Sequence, residues 1–285
     1  MPRRYALRRQ AWLGVLAAGL LPGLLAGAHL AGLIFFLNPH LPFTPLPVLR
    51  GVAVYGGLFA GVSLALHLPF LWRRPRRGWR ALPWGLTAAL AAAALLDWTH
   101  ASIFAFFMPP GINVRLIKTA LWLTLAAIIA FYTALLHTLH RRRYGIRSRL
   151  AFVLLTVGSL YVMVERREAF HPRPPASPLP SAVEASARPT LYVVGIEGAT
   201  LDAVLPLAEQ GELPFFARLL RGGAYGRLES LTPRRLPALW TSLATGKYPY
   251  QHRMLGGTAH AADFLAAGAR LELVPEGIGF RRWGV

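Results

Sequence analysis

The chain contains no cysteine among its 285 residues and only one acidic residue, Asp97, in its first 164. The missing cysteine excludes disulfides, cysteine zinc sites and thiol nucleophiles, and it is compatible with either side of a membrane. Residues 1–164 carry 17 Lys and Arg against that single acid, whereas residues 165–285 carry 14 against 11. The net charge of +19 therefore belongs to one part of the chain. This part lacks the aromatic interleaving of a nucleic-acid surface, so we predict no nucleic-acid partner.

The same part of the chain is rich in long apolar runs. Apolar residues make up 54% of the sequence, and the mean hydropathy is +0.42, values typical of a membrane protein. The runs are Ala11–Leu37, Val48–Trp72, Ala81–Met108, Leu116–Leu139 and Leu150–Val164. A helix needs about 20 apolar residues to cross a bilayer, so four runs suffice and the fifth is marginal. We predict a multi-pass α-helical membrane bundle of about five spans over residues 1–164.

The first run could instead be the apolar core of a signal peptide, because the basic stretch MPRRYALRRQ precedes it. Its apolar residues continue to Leu37, which is longer than a usual signal-peptide core. The sequence favours a membrane span.

Arginine blocks separate the apolar runs and predict the orientation of the bundle. If the spans alternate, 14 arginines lie on one side and only Arg50, Arg115 and Lys118 lie near the other. The 14 are Arg3, Arg4, Arg8, Arg9, Arg73, Arg74, Arg76, Arg77, Arg80, Arg141, Arg142, Arg143, Arg147 and Arg149. The positive-inside rule then predicts a bacterial inner (plasma) membrane protein with a cytoplasmic N-terminus and an extracytoplasmic C-terminal part. The lipid bilayer is its predicted surrounding partner.

Asp97 and His100 form a candidate polar pair inside the third run. They stand three residues apart and therefore on one face of a helix. Ionisable groups at this depth are costly and often functional, so a transporter or channel is one interpretation. The alternative is a structural, hydrogen-bonded pair that reaches Lys118.

A change of composition after the last run indicates a domain boundary. Residues 165–189 are rich in proline and alanine and predict a semi-extended linker. From residue 190 to 285, LYVVGI and AYGRLES are typical of strands, while LDAVLPLAEQG, LPFFARLLRGG and PALWTSLATG are typical of helices. This alternation predicts a partial α/β domain with a mainly parallel sheet.

Glu197 is the candidate site residue of this domain. It follows the first predicted strand between Gly195 and Gly198, at the edge where ligands of parallel sheets collect. A carboxylate there is suited to a divalent metal ion. A helix cap or an exposed turn acid is the alternative.

The ordered segments VVGIEG, LPFFARLLRGGAYGRLES and WTSLATGKYPYQH resemble the opening of the alkaline phosphatase superfamily. The likeness is strongest to its type I phosphodiesterase/nucleotide pyrophosphatase branch and covers Leu191 to about His252. It implies an α/β fold and two divalent metals, commonly zinc, beside a Ser or Thr nucleophile. Glu197 takes the place of a ligand that is normally Asp, and His252 takes a structural position.

The resemblance has two further departures. The position of the family nucleophile falls on Leu236, which has no hydroxyl, and Thr232 is the weak substitute if the loop follows another path. The region after the linker is also much shorter than the family domain, and we expect the chain to be a fragment of a longer protein.

Two functions follow from these observations. The first is a membrane-anchored extracytoplasmic phosphoester hydrolase or phosphotransferase, acting on a phosphate ester or a lipid headgroup. The second is a non-catalytic membrane scaffold or regulatory relative, which Leu236 favours.

Overall fold

A computed structural model of the protein describes residues 2–72, 77–170, 192–257 and 259–276, with side chains omitted for residues 2–9 and 70–72. The first part is helical. Its helices are α1 (Pro2–Leu37), α2 (Pro45–Gly51), a π-helical turn (Val52–Gly56), α3 (Gly57–Trp72), α4 (Gly78–Ile103), α5 (Pro110–Leu139) and α6 (Ile146–Glu168). The later elements are α7 (Leu201–Glu209), α8 (Pro214–Gly222), α9 (Leu236–Thr245), α10 (Pro249–His252), β1 (His260–Ala261) and β2 (Arg270–Leu271).

Five segments are long and apolar enough to cross a membrane, which confirms the predicted number. They are Gln10–Leu37, Pro45–Pro69, Gly78–Ile103, Pro110–Leu139 and Ile146–Glu168. The last helix is longer than its apolar run at both ends, where it contains Arg147, Arg149, Arg166 and Arg167. Arginine is a good helix former, so the helix continues through charged residues that a hydropathy pattern excludes.

Glycines at four-residue spacing on α1 bring its backbone against the second span. A Cβ atom added at Gly23 would lie 2.7 Å from the Cα of Ala60, and one at Gly27 would lie 2.6 Å from the Cα of Gly56. Small residues at this spacing let membrane helices approach closely, so that van der Waals packing holds them together. Gly27 faces the π-helical turn, where the widened backbone reaches toward α1.

The bundle has two distinct ends. At the first, which we call the arginine end, the indole Nε1 of Trp79 donates to the carbonyl oxygen of Gln10 at 2.9 Å, which joins α1 to α4. At the opposite end, which we call the docking end, Leu37, Phe104 and Ile112 share an apolar core with Ala238 and Leu273 from the C-terminal segment. Residues 231–276 therefore pack on the helical bundle as part of the same compact unit.

The predicted helices after the linker are confirmed as α7, α8 and α9, but the predicted parallel sheet is not shown. Residues 192–196 and 224–230 contain no strand pairing. The sheet of the described residues is the two-stranded antiparallel pair β1 and β2. A parallel strand needs neighbours brought together by helical crossovers, and apolar runs specify a buried strand only when those neighbours are present.

The chain divides into two compact units, one formed by residues 1–172 and 231–285 and the other by residues 173–230. The predicted linker at 165–189 begins inside α6, and its residues 171–189 lie outside the described ranges. The predicted domain bounds 1–164 and 190–285 stay predictions.

Gly27→Leu should destabilise the bundle by about 1–3 kcal/mol, the usual cost of overpacking. The added side chain meets backbone atoms of Tyr55 and Gly56, which cannot rotate away. The measurement is the thermal unfolding midpoint of the detergent-purified protein. Gly61→Leu on α3 is the matched control, because a Cβ there meets no atom within 4 Å. Equal midpoints for the two variants would contradict the close packing of α1.

Candidate functional site

Glu197 lies on a stretch of exposed residues that turns before α7. Gly198 has φ +80°, a backbone conformation that favours glycine, so the chain bends sharply just after the carboxylate. Thr200 then precedes the first turn of α7. The carboxylate is therefore open to solvent ligands, as the metal-ligand hypothesis requires, and it caps no helix, because the Ncap residue of α7 is Thr200.

The surrounding unit offers Glu197 few partners for metal binding. Its nearest acid in sequence, Asp202, is paired with Arg227. Within the described ranges, no three His, Asp or Glu side chains are grouped closely enough to hold a metal ion. Since catalytic zinc sites use three protein ligands, the described residues do not by themselves fit the metal centre that the resemblance implies.

Leu236 and Thr232 lie in the other compact unit, beside α9. Leu236 is the first residue of α9, with half of its surface exposed, and Thr232 is exposed in the loop before it. A hydroxyl at the first turn of a helix would be near its positive dipole end. The leucine provides no nucleophilic atom there. Thr232 belongs to the preceding loop, four residues away in sequence, and does not take this helix-start position.

Ser242 and His252 form a contact that resembles a nucleophile beside a base. The Nε2 atom of His252 lies 2.9 Å from the Oγ atom of Ser242, and its Nδ1 accepts the backbone N–H of Met254 at 3.1 Å. A backbone N–H can only donate, so Nδ1 carries the lone pair and Nε2–H donates to the serine. A general base would need a free Nε2 lone pair facing the hydroxyl. The hydrogen bond joins α9 to the last residue of α10.

The ionisation of His252 agrees with this hydrogen bonding. Desolvation by partial burial lowers the pKa of the imidazole, although a backbone hydrogen bond acts to raise it, and the positive charge of Lys247 lowers it further. The neutral form, which can accept from Met254, is thus favoured at neutral pH.

Asn38 holds the C-terminal segment at the docking end of the bundle. It is fully buried just after α1. Its Nδ2 donates to the carbonyl oxygens of Ile34 at 3.0 Å and Leu273 at 2.7 Å. Its Oδ1 accepts the backbone N–H groups of Glu272 at 2.8 Å and Leu273 at 3.1 Å. The amide thereby uses both donors and both lone pairs, and it replaces a sheet neighbour for residues 272–273.

His100 is a second anchor for the same segment. Its Nδ1–H donates to the carbonyl oxygen of Leu96 at 2.7 Å, and its Nε2 accepts the backbone N–H of Glu276 at 2.9 Å. A carbonyl oxygen can only accept and a backbone N–H can only donate. These bonds therefore fix the neutral tautomer with the proton on Nδ1. Both ring nitrogens therefore have partners other than Asp97, so the structure does not show the hydrogen-bonded pair that is one interpretation of these residues. The functional interpretation stays a prediction. Asp97 is buried on the same helix and, within the described residues, forms no hydrogen bond or ion pair.

Arg235 connects α9 to the bundle directly before Leu236. Its guanidinium lies over the rings of Phe104 and Phe107, 5.4 and 5.7 Å from their centroids. One nitrogen lies 3.4 Å from the carboxylate of Glu276. A cation over aromatic faces that also pairs with a carboxylate fixes the start of α9 on the bundle. We call Asn38, His100, Arg235 and Glu276 the docking cluster.

Sequence reasoning missed most of the docking cluster. It singled out His100 but not Glu276, the residue 176 positions later whose backbone N–H binds the His100 ring. The available signal was a lone amide at Asn38, placed between an apolar run and a proline. Such a residue has to satisfy its amide inside the protein, but the sequence does not show with which backbone.

The family model described as type I phosphodiesterase / nucleotide pyrophosphatase matches residues 191–263. This confirms the resemblance over that part of the chain, which contains Glu197, Leu236 and His252. No curated protein sequence and no solved structure matches the chain significantly.

Asn38→Ala should loosen residues 272–273 on the bundle. Both backbone N–H groups lose their acceptor, so their hydrogen exchange should accelerate by about tenfold or more, the equivalent of about 1.4 kcal/mol. The measurement is hydrogen–deuterium exchange of the detergent-purified protein. Asn113→Ala is the matched control, because the buried Oδ1 of Asn113 has no hydrogen-bond partner in the described part of the chain. Unchanged exchange at 272–273 would refute the anchoring role.

Proposed function

We propose that the protein is a membrane-anchored phosphoester hydrolase or phosphotransferase whose family-matched segment acts outside the cytoplasm. The observation that carries the proposal is the family match at 191–263, which follows five helices able to span a membrane. Part of the matched segment packs on the docking end of the bundle, through Arg235 and Ala238. A domain held there would meet phosphate esters at the membrane surface, including lipid headgroups.

In this proposal Glu197 binds a divalent metal ion, and zinc is the ion that the family resemblance favours. The support is chemical: its carboxylate is exposed, and the glycine after it lets the backbone turn away. A single carboxylate binds such an ion weakly, so further ligands are required. The mainly parallel α/β domain implied by the resemblance is part of the same proposal.

A non-catalytic relative is the second candidate, and Leu236 is the observation that favours it. The side chain at the nucleophile position has no atom that attacks phosphorus. In that case residues 231–276, held by the docking cluster, would present a binding or regulatory surface. The two candidates are distinguished by activity: the hydrolase turns over a phosphate ester, and the non-catalytic relative does not.

Glu197→Ala should lower kcat/KM for bis(p-nitrophenyl) phosphate by about 100-fold or more, because a metal-binding carboxylate supports several kcal/mol of transition-state stabilisation. The assay uses the purified chain with added zinc, and calorimetry of zinc binding provides a second readout. Glu209→Ala is the matched control, since Glu209 is an exposed acid at the end of α7.

Three outcomes separate the candidates. Turnover and zinc affinity that fall only in the Glu197 variant support the hydrolase. No turnover in the wild type or in Leu236→Thr supports the non-catalytic relative. Turnover that survives Glu197→Ala unchanged refutes the role of Glu197.

The proposed orientation places the arginine end in the cytoplasm of a bacterial cell and the docking end outside. The positive-inside rule supports it, because basic residues concentrate at the arginine end. The absence of native cysteine permits single-cysteine labelling. In intact cells a membrane-impermeant maleimide should label Thr44→Cys, in the exposed loop between α1 and α2, and should label Gly145→Cys only after permeabilisation. The reverse labelling pattern would invert the orientation.

A further inference from the structure

A cavity of about 1170 Å³ lies between α1, α4 and α6, toward the arginine end. This exceeds the volume of roughly 300–1,000 Å³ that is usual for pockets of drug-sized ligands. Its deeper walls are apolar and include Leu25, Leu86 and Phe152. The cavity therefore suits a large ligand with a long apolar part.

The mouth of the cavity is strongly basic. Five arginines line it: Arg77, Arg80, Arg142, Arg143 and Arg149. All five are exposed, and no Asp or Glu is among the lining residues. Guanidinium groups bind phosphate oxygens through paired hydrogen bonds. The charge at this place is thus complementary to an anionic phosphate group.

The cavity exists because α1 and α6 touch at one end and separate at the other. Beside the last lining residue of α6, His29 Nε2 lies 3.1 Å from Ser159 Oγ, and nearer the docking end Arg167 Nε donates to the carbonyl oxygen of Phe35 at 2.7 Å. Toward the arginine end, Leu24 and Val157 stay exposed at the sides of the opening. The cavity is therefore open laterally, where the hydrocarbon of a bilayer would be.

The length of the cavity fits one leaflet. Its lining residues on α6 run from Arg149 to Leu160. Eleven residue steps of about 1.5 Å correspond to roughly 16 Å. The hydrocarbon core of a bilayer is about 30 Å thick, so this is close to half of it. A molecule with its phosphate at the arginines would have its chains end near the bilayer midplane.

We propose that this cavity binds one anionic glycerophospholipid from the bilayer, with its headgroup phosphate on the five arginines and its acyl chains between α1 and α6. The basic mouth matches the headgroup phosphate, and the apolar deeper walls match the acyl chains. The lateral opening lets a lipid enter from the bilayer. A soluble phosphate compound would complement only the arginines at the mouth, and an apolar helix would complement only the apolar walls below them. This site lies at the end of the bundle opposite the docking cluster and does not depend on the proposed phosphoester chemistry.

The test is native mass spectrometry of the detergent-purified full chain with dioleoylphosphatidylglycerol and dioleoylphosphatidylcholine as probes. The wild type should retain one phosphatidylglycerol in preference to phosphatidylcholine. Arg142→Gln with Arg143→Gln should weaken this binding by about fivefold for each arginine removed, the factor expected for one basic residue at an anionic lipid surface. Val157→Trp, which narrows the opening, should weaken the binding of both lipids.

The matched control is Arg141→Gln with Arg147→Gln. Arg141 lies in the connection between α5 and α6, and Arg147 lies in the first turn of α6. The pair loses the same charge, but neither arginine lines the cavity. An equal loss in the control pair would mean general attraction to anionic lipid and overturn the site. Equal retention of phosphatidylcholine by the wild type, or complete displacement of phosphatidylglycerol by inorganic phosphate, would also overturn it. Gel filtration of each variant verifies that it remains folded.

Discussion

The arrangement of the docking end depends on one buried amide. Asn38 is the first residue after α1, and its side chain binds backbone groups on both sides of a gap of 235 residues. Buried backbone N–H and carbonyl groups need partners, and residues 272–273 find theirs on this side chain. The apolar residues around it, including Phe35 and Leu271, exclude competing water. The directional hydrogen bonds then determine the position of residues 272–273 on the bundle, while burial of apolar side chains provides most of the stability of this contact.

His100 and Arg235 extend the same constraint to neighbouring elements. His100 accepts a backbone N–H from Glu276, and the side chain of Glu276 pairs with Arg235. Glu276 therefore joins α4 to the start of α9 through both its backbone and its carboxylate. Leu236 follows Arg235 directly, so the residue at which the resemblance would place the nucleophile is held by contacts made to the helical bundle.

The sequence predicted the parts of the fold that depend on local pattern. Hydropathy and length give five spans because each span is specified by its own residues. The helices α7, α8 and α9 follow from local periodicity and end signals. The segment 192–196 has an equally strong apolar pattern, but a strand is made by pairing with other segments, which local pattern does not encode. Asn38 and Arg235 were unpredictable for the same reason, since their partners are distant in sequence. Glu197 lies in a turn, but the strand predicted before it is not shown, and its role as a metal ligand stays a prediction.

The two ends of the bundle differ in the partners that their charged and polar side chains have. At the docking end, Arg235 is paired with Glu276, and His100 is neutral. This permits burial, because a paired or neutral group avoids most of the desolvation cost of a lone charge. At the arginine end the lining guanidiniums have no acidic partner in the cavity, and Asp97 on the same α4 helix is close to its opposite end. Uncompensated arginines of this kind are stable only beside water or beside anions from outside the chain, which a leaflet of anionic lipid supplies. The bundle therefore has one end that binds a segment of its own chain and an opposite end whose exposed arginines face water or anions from outside the chain.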